Sequence, residues 1–216
     1  MDTKATVDVG EYSRYGRSRG LEPVKALDHD MRPKEKLVPG GILEIVSGRS
    51  FLFFTSSYKT SDFMVDGLLL WWNKRKQELP DLKHIVINLD NGPECSGRRS
   101  QFLKRMVEFS DITGLTVRMI YYPPYHSKYN PVERCWGILE NHWNGSVLDT
   151  VEAVIKFTAS MTWNGLHPVV ELIPTVYPTG VSLTKEQMNF VETQIARLPG
   201  LEKWFIDIAP SPLPAE

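Results

Sequence analysis

A chain of 216 residues with 42% hydrophobic and 24% charged side chains is long enough to bury a sizeable core, and its composition excludes the disordered and fibrous classes. No apolar run reaches the roughly 20 residues that cross a bilayer, and the start MDTKATVDVG lacks a signal-peptide core, so a cytosolic protein is expected. The net charge of -1 hides an asymmetry: from Ser146 to Glu216 there are 4 Lys+Arg against 8 Asp+Glu, which leaves 21 against 18, or +3, in the preceding residues.

Taken in chain order, residues 3–9 alternate apolar and polar side chains, the period of a half-buried strand. Residues 11–20 are rich in Arg, Ser and Gly and read as a loop, continued by an irregular Pro-containing segment to Pro39. Strands are predicted over 42–46 and 51–55. A helix is predicted from Ser61, with Met64, Leu68, Trp71 and Arg75 on one stripe, stopped at Leu79 and Pro80. The β-branched run over 84–89 predicts a buried strand ending at Asp90, where Asn91, Gly92 and Pro93 break it.

A helix follows over 98–112 and a strand over 115–121. Asn130 and Pro131 suit the cap and first position of a further helix carrying Glu133, Trp136 and Glu140. Helices are expected over 151–160 and from Thr184 to about Leu198, the latter opened by a Thr184 and Gln187 capping box. This order implies an α/β fold, a mixed sheet with helices packed on it. Cys95 and Cys135 are too few for an all-cysteine zinc site and are read as buried or idle thiols.

Two segments carry the chemistry. LDNGPE puts a carboxylate, Asp90, just past a strand, and PPYHSKYNPVERCW puts another, Glu133, in the first turn of a helix. Carboxylates from separate elements suit a hard divalent cation, which takes oxygen ligands and shares them with water and phosphate. Each acid also has a structural explanation: Asp90 can open the Asn-Gly turn, and Glu133 can close a capping box on Asn130. Asp8, Asp28 or Asp30 can supply a carboxylate instead, Asp28, His29 and Asp30 superficially resembling a metal cluster, and Glu140 is an alternative on the face of Glu133.

These segments resemble those around the second Asp and the final Glu of DDE-type insertion-sequence transposases, including mariner-like ones. DTKATVDVGEYSR with GRSRG resembles the first-Asp segment of the Rhodopirellula-type DDE transposase family, and SYKTSDFMVDGLLLWW its first long helix. Similarity continues through TWNGLHPVV and YPTGVSLTKEQM. The resemblance implies a ribonuclease H-like mixed sheet flanked by helices over residues 1–175, a C-terminal helical extension over 176–208 and a disordered tail over 209–216.

It further implies metal-dependent strand cleavage and strand transfer at transposon ends, with Asp2, Asp90 and Glu133 as catalytic ligands of two Mg²⁺ or Mn²⁺ ions. DNA would be the partner, a homodimer or larger assembly the active form, and the bacterial cytoplasm the location, with no membrane. Phosphate contacts are expected from Arg14, Arg17, Arg19, Arg98, Arg99, His126, Lys128 and Arg134. Only Met1 precedes Asp2, so the upstream half of the first strand and the family's DNA-binding helices are missing, and the chain reads as an N-terminally truncated catalytic module. A nuclease that only hydrolyses, or an inactive remnant, are the alternative expectations.

Overall fold

A computed structural model describes residues 1–17, 20–22, 24–27, 33, 35–123, 126 and 129–212. In chain order the elements are β1 (Asp2–Thr3), β2 (Val7–Val9), β3 (Glu35–Leu43), β4 (Ser50–Thr55), α1 (Ser61–Arg75), β5 (His84–Leu89), α2 (Ser100–Thr113), β6 (Thr116–Tyr121), α3 (Pro131–Trp143), α4 (Val151–Ser160), β7 (Val169–Leu172), α5 (Lys185–Thr193), β8 (Ile195–Arg197) and β9 (Phe205–Ile208). The fold is α/β. Where one mixed sheet was expected, the strands divide into two, and the chain into two compact units: residues 2–58 with 131–176, and residues 59–130 with 177–216 and Met1.

The first unit holds the sheet β1-β3-β4-β7, with β2 also paired to β3. β3 runs antiparallel to β1, β2 and β4, and β7 is parallel to β4. All six residues of β4 are buried, as a strand covered on both faces requires. Val9, Leu37, Leu52 and Phe54 form one core with Trp136, Leu139 and Trp143 of α3 and Val154 of α4.

Strand β3 begins seven residues before the expected 42, inside a segment whose Pro39, Gly40 and Gly41 argued for a loop. Pro39 is tolerated because of where it falls. Asp2 and Thr3 pair with Gly41 and Gly40, and Val7 to Val9 pair with Leu37 to Glu35, so Pro39 lies at the interruption between the two short partners. Its carbonyl accepts from Lys4 N–H at 3.0 Å, while its missing N–H faces the same interrupted side. The glycines are demanded by close approach: a Cβ at Gly40 would enter the Phe53 ring, and one at Gly41 would stand 2.6 Å from Trp136 Cη2. The predicted single strand over 3–9 is correspondingly two pieces, β1 and β2.

The second unit holds the sheet β5-β6-β9-β8, with β5 and β6 parallel and the rest antiparallel. Val86 shares a cross-strand row with Arg118, Asp207 and Ala196, which leave that part of the sheet face open, so Val86 is exposed where a fully buried strand was expected; the Met1 amino group donates to Asn88 O at 3.0 Å. Helices α1 and α2 are tied by Arg105, which bonds Asp62 and Asp66, and Tyr177 Oη donates to Asp66. Gly114, at φ 72°, ends α2 in the left-handed conformation that glycine adopts without strain.

The Thr184 and Gln187 capping box is present, but α5 stops at Thr193 instead of continuing to Leu198. Residues 195–197 leave the helix because β9 offers them a ladder, Ile195 to Ile208 and Arg197 to Ile206. The segment expected to be helical thus also supplies two strands to this sheet. Beyond them Ser211 N–H donates to Asp111. Among the described residues no helix is long and apolar enough to cross a membrane.

Candidate active site

In the first unit the candidate acids are Asp2 and Glu133. Asp2 is 4% exposed, and its Oδ2 accepts from Trp136 Nε1 at 3.1 Å. Gly41 is the register partner of Asp2 and leaves the space that the Trp136 ring fills, so the glycine, the indole and the carboxylate form one arrangement. Glu133 lies in the first turn of the same helix, three residues before Trp136 and so on a neighbouring stripe. It is half-buried, in the first turn where the helix N-terminus leaves backbone N–H groups without intrahelical partners.

Glu140 serves a structural purpose at this point. Its carboxylate holds Lys4 and both oxygens bond Arg14, at 3.1 and 2.8 Å; both cations also lie over the Trp143 ring, Arg14 at 5.0 Å. Partial burial works to raise the Glu140 carboxyl, but the hydrogen bond and charge of Lys4 and the charge of Arg14 outweigh it and hold the group below the ordinary glutamate range. Arg14 is therefore committed to an ion pair within the unit. Asp8 faces Lys36 across the β2–β3 ladder at 3.4 Å.

In the second unit Asp90 follows β5 directly. Its Oδ1 accepts from Gly92 N–H at 3.1 Å and from the Cys95 thiol at 3.4 Å, which gives the sharp turn its geometry. Asn91 takes a left-handed φ of 65° and accepts from Gly97 N–H. The turn is pinned from outside as well: Ser61 Oγ donates to Glu94 O at 2.7 Å, Tyr121 Oη donates to Cys95 O at 3.0 Å, and Lys59 pairs with the buried Glu94 carboxylate at 2.7 Å. A Cβ on Gly92 would lie 3.3 Å from both Asp90 Oδ1 and Glu94 Oε2, so a side chain there would require the carboxylates to give by a few tenths of an ångström. Burial, then the charges of Asp90 and Glu94, push the Cys95 thiol far up, which keeps it protonated and able to donate.

Of the residues expected to meet phosphate, Arg17, Arg98, Arg99 and Arg134 are exposed, and His126 is exposed and stacked on Tyr129 with ring centroids 5.8 Å apart. Arg19 and Lys128, and with them Asp28, His29 and Asp30, lie outside the described residues. Sequence reasoning assigned Cys95 no role and passed over Glu94 and the Trp136 contact. An acid inside LDNGPE and an aromatic residue three positions beyond Glu133 were the available signals.

Comparison with known families decides what these acids belong to: the Rhodopirellula transposase DDE domain matches residues 1–210. The chain belongs to that family. No curated protein and no solved structure matches it. The transposase family acts on DNA, and its DDE domains generally use divalent metal ions. Among the described residues no three His, Cys, Asp or Glu side chains gather as a metal cluster. The donor chemistry nevertheless fits a hard cation, since Asp2, Asp90 and Glu133 offer only carboxylate oxygens and such ions need one or two protein carboxylates beside water and phosphate.

Proposed function

We propose that this chain is the catalytic domain of a DNA transposase of ribonuclease H-like fold, cleaving DNA at transposon ends and joining those ends to a target. Asp2, Asp90 and Glu133 would hold two Mg²⁺ or Mn²⁺ ions. The observation that carries the reading is the setting of Asp2: a buried carboxylate oriented by the indole of a helix that also carries Glu133. Burying a carboxylate is costly, and a fold retains one where function or a strong partner requires it.

When bound, such ions activate the attacking water or hydroxyl and stabilise the leaving oxygen of an in-line displacement at phosphorus. The protein's own residues do the rest. Gly92 N–H and the Cys95 thiol fix the rotamer of Asp90, and Trp136 fixes that of Asp2. Arg17, Arg98, Arg99 and Arg134, with Arg19, His126 and Lys128, would grip the phosphate backbone, which positions DNA without reading its sequence. Joining two ends calls for a homodimer or larger assembly, working in the cytoplasm where bacterial DNA lies.

The test is nicking of supercoiled plasmid by the full chain with Mg²⁺ or Mn²⁺, set against Asp90→Asn and Glu133→Gln. Gln in place of Glu133 keeps the size and any capping hydrogen bond while removing the charge, so melting temperature should hold while nicking disappears. Nicking at the wild-type rate by both variants would refute the assignment.

A further inference from the structure

Beside the Asp90 turn, within the same unit, lies a cleft of about 680 Å³, inside the range of small-ligand sites. Asn91, the residue after Asp90, lines it with Arg98, Lys203 and Trp204, Met188 of α5 and Arg197 of β8. Arg197 belongs to the wall: its guanidinium donates to Gly97 O at 3.3 Å and to Glu192 at 3.0 Å, bracing the Asp90 loop against the C-terminal elements. The two carboxylates of the lining are occupied, Glu192 by Arg197 and Glu202 by Gly200 N–H at 2.8 Å.

What remains to meet a ligand is distinctive. Arg98 and Lys203 are exposed and make no ion pair among the described residues, and Trp204 is partly exposed at the turn into β9. Two cations and an indole in one lining, with the Asn91 amide beside them, match the parts of a nucleotide: phosphate for the cations, a π-face for the ring, polar base edges for the amide nitrogen that its Oδ1 bond to Gly97 N–H leaves over.

We propose that this cleft receives one nucleotide of a DNA single strand, its base against Trp204 and its phosphate against Arg98 and Lys203, next to the phosphodiester held at Asp90. The proposal rests on the transposase reading and adds a subsite to it. A strand that leaves the duplex beside the acids needs a place for its unstacked base, and this cleft begins one residue from Asp90.

The experiment is fluorescence anisotropy of the full chain with a labelled oligothymidine of about 12 nucleotides, intact or with one abasic position moved along it. Trp204→Ala should weaken binding of the intact strand roughly five- to a hundredfold, with Trp204→Phe retaining most of the affinity. An abasic unit at one position should weaken wild type to the level of Trp204→Ala and leave that variant unaffected. Arg98→Glu, at an exposed position, should weaken binding and reduce the salt slope by about one. If wild type binds but Arg98→Glu and Trp204→Ala match it and no abasic position matters, the cleft assignment falls while the DNA reading stands. Wild type binding no DNA at all overturns both. Should Trp204→Ala unfold, the abasic scan on wild type and Arg98→Glu decide.

Discussion

Replacing Gly41 by Ala should disable the Asp2 arrangement without touching either carboxylate. The new methyl would lie 2.6 and 2.7 Å from Trp136 Cη2 and Cζ2 and 3.0 Å from Leu52 Cδ2, and Leu52 is fully buried, so the Trp136 ring must move. Overpacking of this kind costs about 1–3 kcal/mol. Moving the ring also withdraws the indole N–H from a carboxylate that is 4% exposed, and a hydrogen bond to a charged group contributes about 1.5–3 kcal/mol. Against this, Ala lowers the entropy of the unfolded chain, worth about 0.4–1 kcal/mol where the backbone permits it, and Gly41 is not at positive φ. The net expectation is a destabilisation of about 2–5 kcal/mol by urea unfolding. Plasmid nicking should fall even at temperatures where the variant stays folded, because Asp2 loses its orientation. Trp136→Phe removes the ring atoms that clash, so the double variant should be less destabilised than the sum of the singles. Stability of Gly41→Ala within 0.5 kcal/mol of wild type, or strict additivity, would refute the reasoning.

Three further outcomes follow from geometry already described. Glu140 is held below its unfolded value, so its contribution is present above about pH 4.3 and fades as pH falls through the lowered folded value; the stability gap between wild type and Glu140→Gln, followed by denaturation from pH 7 to 3, should close toward acid, and a gap that widens would contradict it. Cys95 is pushed far up by burial and by Asp90 and Glu94, and burial pushes Cys135 up to about 12, so neither thiol should react with a disulfide reagent at pH 8 until the chain unfolds; rapid labelling of native protein would disprove this. Ser61→Ala removes a buried donor from Glu94 O and should cost about 1–3 kcal/mol in chemical denaturation, with weaker nicking because the Asp90 turn loses its tie to α1.

The elements that sequence located best are those whose signals are local. β5 spans the predicted residues, α4 likewise, and the capping box of α5 is fixed by two side chains three positions apart. β7, β8 and β9 escaped because three or four residues carry too little period to stand out, and they exist through partners far along the chain, Asp207 with Arg118 for one. β3 was cut short because Pro-Gly-Gly looks like a turn until Phe53 and Trp136 are known to need the space. The same limit applies to the site. The acids stood out as motifs, but Trp136 lies 134 residues from Asp2, and Arg14 gave no hint of Glu140, 126 residues away.

Pro39 also acts as a register stop. A two-residue strand such as β1 is weakly specified by its own ladder, and sliding by one residue would turn the Asp2 side chain to the opposite face of the sheet. Sliding by two toward the start of β3 would keep the face but bring Asp2 opposite Pro39, a rung that has no N–H to give. Both errors are closed off, one by the burial that Asp2 and Trp136 share and the other by an imino acid that looked, on sequence alone, like an argument against any strand at all.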